Sequence, residues 1–338
     1  MTVDERPSVG GGRMLSDSSA APSSPPVVAA PSSVPDAPGS AAGAEAQLAR
    51  VKSAAMKSVP RFIGRRLPWA LEERISTLGA VRIASWNING TKARIEYLKA
   101  WLEAVAPDVV GLQELKTTDD RFPFDELREI GYHAVTYGQK SWNGVAILSR
   151  EPAEVIQRGL PGQDEMGSRL ITAKVSGLTF TTVYVPNGKT LEHEDYQRKL
   201  AWLDALGAHF EEHHAATDPH VLCGDFNVVP TALDTWDEDS FAGDIFHTDA
   251  ERSRIARLLD WGFTDAYRAR YPDERAFTWW DYRGGALHKK QGLRIDFILT
   301  TEPLVGRIRE ASVERDWRKK RDGMTPSDHA PVWVDLEG

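Results

Sequence analysis

Asp225 and Asn227 lie two residues apart at the end of a short apolar run, within residues 220–230, H-V-L-C-G-D-F-N-V-V-P. In extended chain, residues two apart point to the same face. A carboxylate and a carboxamide therefore stand side by side where the run ends. A carboxylate can orient or deprotonate a water, and an amide can donate to a developing oxyanion, which suits hydrolysis of a phosphate ester. Alone, G-D-x-N is more commonly an Asx turn closing a strand. It gains weight because similar residues end other runs: Asn87 and Asn89 in S-W-N-I-N-G, Glu114 in G-L-Q-E, Tyr184 and Asn187 in Y-V-P-N-G, and Asp328 with His329 in S-D-H-A-P-V. Asp296 sits inside the apolar run R-I-D-F-I-L, where a carboxylate is costly unless paired or hydrogen-bonded. His329 is its natural partner, since a carboxylate behind a histidine fixes the tautomer and supports the cation. An oxygen-rich set with a single cysteine in the whole chain favours a hard cation, Mg²⁺ or Mn²⁺.

The elements that position these residues follow from periodicity. Residues 81–87 alternate as a strand, and Ile95, Leu98, Leu102 and Val105 mark a helix from Thr91 that Pro107 stops. Residues 108–114 form a second buried strand, and a short helix covers residues 124–130. Residues 132–137 and 144–149 pair as a hairpin around a loop with Trp142 and Asn143, and residues 170–175 and 178–185 pair across Ser176 and Gly177. Helices are expected near 194–213, with Leu200, Leu203, Leu206 and Phe210 inward, and near 249–261. Hairpins mixed with strand–helix alternation imply an α/β layered sandwich of mixed sheets with helices outside.

The chain has 338 residues, 41% of them hydrophobic, enough for one large core. Its net charge of −8 excludes a generic basic nucleic-acid binder, though not an enzyme with a basic rim. The lone cysteine, Cys223, lies in the apolar run before Asp225 and reads as a small core residue. It rules out an intramolecular disulfide and suits a reducing cytosol. No apolar stretch approaches the length of a membrane span. The first 45 or so residues are rich in Pro, Ser, Ala and Gly and read as disordered. Residues 1–78 are thus expected to be a tail with at most marginal helix, and residues 79–338 a catalytic domain.

The motifs S-W-N-I-N-G, G-L-Q-E-L-K, Y-V-P-N-G, G-D-F-N, F-T-W-W-D-Y-R, R-I-D-F-I-L and S-D-H-A-P-V occur in the order and spacing of the exonuclease III family. The chain resembles these apurinic/apyrimidinic (AP) endonucleases of the endonuclease/exonuclease/phosphatase superfamily over residues 79–338. The resemblance implies a four-layer α-β-β-α sandwich with the site at one edge of the paired sheets. It also implies roles. Glu114 would be the principal Mg²⁺ ligand, with Asn87 nearby and Asp328, Asp225 and Asn227 as further candidates. Asp225 would orient or deprotonate the attacking water, and Asn227 would hold the phosphate or the water. Tyr184 would contact the scissile phosphate or steady the leaving oxygen. His329, paired with Asp296, would stabilise the transferring phosphoryl group, and Asn187 would donate to phosphate. One metal or two, and Asp225 or His329 as base, stay open.

DNA is favoured over other phosphate esters by residues 277–283 and their surroundings. Trp279 and Trp280 offer rings for stacking on bases or filling the gap where one is missing. His288, Lys289, Lys290 and Arg294 add positive charge, as do Lys92 and Arg94 after the first turn, and Arg315, Arg318, Lys319, Lys320 and Arg321 form a second basic run. The expected partner is double-stranded DNA with abasic sites or 3′ ends, bound by a cytoplasmic, nucleoid-associated monomer, and the expected reaction is Mg²⁺-dependent cleavage 5′ to the abasic site or 3′→5′ removal of nucleotides and 3′-phosphates. The alternatives are a phosphomonoesterase acting on another ester, such as an inositol phosphate, and a non-catalytic DNA-binding protein.

Overall fold

Residues 80–338 are described by the computed structural model; the expected tail lies outside them. Two six-stranded mixed sheets form the centre. The first runs β11(Ile308–Val313), β12(Val332–Leu336), β1(Val81–Asn87), β2(Val109–Gln113), β4(Val145–Ser149), β3(His133–Tyr137). The second runs β5(Glu154–Arg158), β6(Leu170–Val175), β7(Leu178–Tyr184), β8(His220–Asp225), β10(Asp296–Thr301), β9(Phe263–Asp265).

The sheets pack face to face through Ile83, Val109, Val145 and Ile147 from one and Ile171, Phe180, Val221 and Ile298 from the other. Helix α1(Thr91–Val105), with α2(Phe124–Glu129), covers the first sheet through Leu98, Trp101, Leu102 and Leu127. Helices α3(Glu194–His213) and α4(Asp249–Trp261) cover the second through Leu203, Leu206, Phe210, Ile255 and Leu258. The result is the four-layer α-β-β-α sandwich. Central strands are apolar on both faces because both faces are covered, which is why Val221–Cys223 shows no alternation. Cys223 is buried between the sheets, and burial pushes its thiol up to about 12, so it is a core residue.

Two strand pairs set the site. β1 and β2 run parallel in one sheet, β7 and β8 in the other, and their C-terminal ends meet at one edge. Such ends are where α/β sheets place ligands. The approach is close: a Cβ on Gly111 would lie 2.6 Å from Thr182 Oγ1 and 2.7 Å from Cys223 Sγ. Gly224 is required more strictly. Its φ is +145°, and a Cβ there would stand 2.0 Å from the Val183 carbonyl oxygen.

Candidate active site

Sheet register brings the chemistry together. Tyr184 and Asp296 flank Asp225 as its direct partners on β7 and β10, so three functional residues form one row across the end of the second sheet. Opposite them, Asn87 ends β1 and Glu114 follows β2. The turns beyond these strands are tight. Asn89, Glu114, Lys116 and Asn227 all have left-handed backbones, with φ of 49°, 54°, 53° and 50°. Non-glycine residues in this region carry strain, and such strain clusters at functional sites.

Asn87 joins the two sheets: its amide donates to Glu114 Oε1 and to Asp225 Oδ2, at 2.9 Å each. Asp225 Oδ1 accepts the Asn227 backbone N–H at 3.0 Å. Asn227 donates to the Val185 carbonyl at 3.0 Å and accepts from Asn187 Nδ2 at 3.3 Å. Burial pushes the Asp225 carboxyl up to about 7, against the opposing pull of the His329 cation. His329 turns Nδ1 to the Asp296 carboxylate, 2.9 Å from Oδ2, and leaves Nε2 3.8 Å from Asp225 Oδ2. Burial disfavours the imidazolium, but Asp296 first and Asp225 next outweigh it and raise it to about 10. Tyr184 is driven well above its ordinary range, by burial and then by the charges of Glu114 and Asp225, so its phenol stays a donor.

Glu114, Asp225 and His329 form the one group of three potential metal ligands among the described residues, each offering an atom within 4.8 Å of the others. Its two carboxylates, Glu114 and Asp225, fit a metal ion, whereas His329 as a cation has no free lone pair to offer. Lys116 Nζ lies 2.7 Å from Glu114 Oε2, so this carboxylate already attracts a cation. Burial would raise the Glu114 carboxyl, but Lys116 and the Asn87 amide hold it below the usual range. Asp328 lies outside this group, held by Trp279 Nε1 at 3.1 Å and Asn89 Nδ2 at 2.8 Å.

Most of the expected site residues converge: Asn87, Glu114, Tyr184, Asp225, Asn227, Asp296 and His329, with Asn187 beside Asn227. The expected DNA face needs correction. Arg294 is 2% exposed and pairs with Asp234 and Asp265, at 2.6 and 2.7 Å, so its charge is spent inside the protein. Trp280 is 1% exposed and packs against Ala286 and Ala330, because neighbours in extended chain face opposite ways and Trp279 takes the site side. Arg318 is buried too, donating to the Asp328 and Trp280 carbonyls at 2.8 and 2.9 Å. Arg94 is half-buried, bonded to the Asn89 carbonyl and at 3.3 Å to Tyr282. Lys92, His288, Lys289, Lys290, Lys320 and Arg321 are exposed.

Three residues add to the set. Lys116 reaches Asn89 Oδ1 at 2.5 Å as well as Glu114; its signal was its place two residues after Glu114. Arg169 lies with its guanidinium 4.8 Å from the Tyr184 ring and donates to the Tyr184 carbonyl at 3.1 Å. Its position directly before an apolar strand was the clue. Lys199 is fully buried, bonded to Glu251, to the Asn227 carbonyl at 2.6 Å and to the Asn187 carbonyl at 3.3 Å. Nothing local pointed to it.

A conserved-family model described as the endonuclease/exonuclease/phosphatase family matches residues 84–329. Exodeoxyribonuclease III of Haemophilus influenzae is 34% identical over 270 residues, which span 76% of this chain and all of that protein. Among solved structures, an AP endonuclease from Archaeoglobus fulgidus superposes with a TM-score of 0.73 at 34% identity, covering 76% of this chain and 100% of that one. A 3′ phosphatase, NExo from Neisseria, bound to a product DNA hairpin, gives 0.72 at 35%, with the same coverage. The chain belongs to the endonuclease/exonuclease/phosphatase family, in its exodeoxyribonuclease III-like branch. It is an enzyme of the phosphodiesterase type. Among the described residues no helix is long and apolar enough to cross a membrane.

Proposed function

We propose that this enzyme hydrolyses duplex-DNA phosphodiesters, cutting 5′ to abasic sites and trimming 3′ ends, with Mg²⁺ or Mn²⁺ held by Glu114 and Asp225 as its cofactor. The observation that carries this reading is the meeting of Glu114, Asp225 and the Asp296-backed His329 at one sheet edge, with ligand atoms within 4.8 Å of one another. Hydrolysis needs in-line attack by water, neutralisation of the phosphate oxygens and relief of the leaving 3′-oxygen. A divalent cation bound there supplies charge against those oxygens.

The protein residues divide the remaining work. Asp225, its Oδ1 fixed by the Asn227 N–H and its Oδ2 by the Asn87 amide, accepts the proton of the attacking water. His329, kept cationic by Asp296, donates from Nε2 to a non-bridging oxygen. Tyr184 donates a hydrogen bond from its phenol to the departing 3′-oxygen, and Asn187 and Asn227 donate from their amides to the phosphate.

A damaged duplex is favoured by the cleft wall. Beside Trp279 lies a cavity of about 630 Å³ whose apolar lining includes Trp236, Phe246 and Leu293. Such a wall suits a sugar that carries no base. Exposed Lys92, Lys289, Lys290, Lys320 and Arg321 supply phosphate contacts.

The test is cleavage of an end-labelled duplex with one abasic site, run beside an inositol phosphate. We expect a cut 5′ to the lesion that needs Mg²⁺ or Mn²⁺, stops with EDTA, and requires more metal in Glu114→Ala. An intact abasic duplex, or hydrolysis of the inositol phosphate at a matching rate, contradicts the reading.

A further inference from the structure

Trp142 is 69% exposed, the most exposed large hydrophobic side chain among the described residues. Its position is fixed although its ring is free. The residues on either side, Ser141 and Asn143, have left-handed backbones with φ of 71° and 54°. Asn143 is buried and donates to Gln139 Oε1 at 3.1 Å and to the Met166 carbonyl at 3.3 Å. Gln139 Oε1 also accepts the Ser168 N–H at 2.9 Å, so the tip is tied to the 166–168 loop. The same tip is bonded to the Glu114 turn: Leu115 N–H donates to the Gly144 carbonyl at 3.1 Å and Lys116 N–H to the Asn143 carbonyl at 2.9 Å. Strained backbone held on two sides, presenting an indole to water, points to a ligand for that ring.

The ring shares a cleft with one flank of the site, Tyr184 and Asn187. Trp142 lines a cleft of about 410 Å³ that also contains Arg169, Tyr184 and Asn187, with Glu165 and with Lys189 and Arg198, which both pair with Asp195, at 2.7 and 3.0 Å. Lys140, two residues before Trp142, is exposed beside it. A flat apolar ring with Arg169 and Lys140 near it, at a cleft that holds Tyr184 and Asn187, matches the pairing of base stacking with backbone attraction in nucleic-acid grooves.

We propose that Trp142 is a stacking residue for an unpaired DNA base: it packs against the base left without a partner at the lesion and so makes binding depend on a disrupted duplex. This rests on the phosphodiesterase reading above and adds a determinant of substrate choice distinct from Trp279, which lines another cavity. Because the loop is bonded to the Glu114 turn, a base seated on the indole also sets the height of the scissile phosphate over that turn.

The experiment measures binding in Ca²⁺ by wild type, Trp142→Ala and Trp142→Phe to a duplex with an abasic analogue and to the fully paired duplex, with the melting temperature of each variant recorded. Trp142→Ala should bind the abasic duplex about 5- to 100-fold more weakly and the paired duplex within about twofold of wild type, as expected for loss of one stacked base. Trp142→Phe should recover most of the loss, and the Trp142 emission should be quenched on binding the abasic duplex only. Equal weakening on both duplexes, unchanged affinity for the abasic one, or no rescue by Phe overturns the proposal. These outcomes are separate from failure of the underlying reading, in which wild type itself leaves the abasic duplex uncut.

Discussion

The imidazole Nδ1 of His329 faces both carboxylate oxygens of Asp296, at 3.1 and 2.9 Å, across 33 residues of sequence. Both side chains are buried, so the pairing compensates charge where water does not. The pair fixes the tautomer and leaves Nε2 for the substrate.

His329→Ala and Asp296→Asn are each expected to lower kcat on an abasic duplex by about 10²–10³, the scale for losing one preorganised donor to a developing oxyanion. If the carboxylate acts through the imidazole, the double variant loses little beyond His329→Ala alone, since groups acting as a unit are not additive. Multiplicative losses in a double-mutant cycle of kcat would show that Asp296 has a separate task.

Lys199 and Glu251 form an ion pair with no exposed side-chain surface, and the ammonium also holds the carbonyls of Asn227 and Asn187. Lys199→Met should cost about 3–5 kcal/mol of stability, because Glu251 is left buried and uncompensated. Lys199→Met with Glu251→Met should regain much of that stability in urea unfolding. It should still show a depressed kcat, because the Asn227 and Asn187 turns have lost their tether. Wild-type kcat in the stable double variant would make the pair purely structural.

A histidine group far from the site predicts a pH dependence of folding. His209, His214 and His220 pack together around Phe210. Burial first, then repulsion by neighbouring histidine cations, His213 among them for His209 and His214, pushes all three down, His209 to about 4 and His220 well below its ordinary value. Below about pH 6.5 the unfolded chain takes up protons that the native one refuses, so stability falls as pH drops from about 6.5 towards 4. His209→Phe should flatten this fall in urea midpoints between pH 7 and pH 5. An unchanged slope would contradict the assignment.

What the sequence disclosed depended on the range of each interaction. Asp225, Asn227, Asn87 and Glu114 were legible because each ends an apolar run, and Asp296 because a carboxylate inside such a run demands a partner. Arg294 was misread because its neutralising partners, Asp234 and Asp265, lie 60 and 29 residues away. Trp279 and Trp280 could have been separated by alternation alone, but not which of them faced the cleft. The strands Glu154–Arg158 and Ile308–Val313 were missed since both are edge strands, interleaved with polar residues on their exposed faces. Lys199 and Glu251 are 52 residues apart, and only the packing of α4 on α3 brings them together.

The central claim is that the Asp225 edge is a hydrolytic centre for damaged DNA, and single-turnover cleavage by Asp225→Asn tests it most directly. The substitution keeps the shape of the side chain and removes the negative charge that accepts the water's proton. At metal concentrations that saturate the variant, cleavage of an abasic duplex in Mg²⁺ should slow by about 10²–10⁴, the range for losing a general base, while affinity for the same duplex in Ca²⁺ stays near wild type. A variant that cuts at the wild-type rate would place the chemistry elsewhere in the protein.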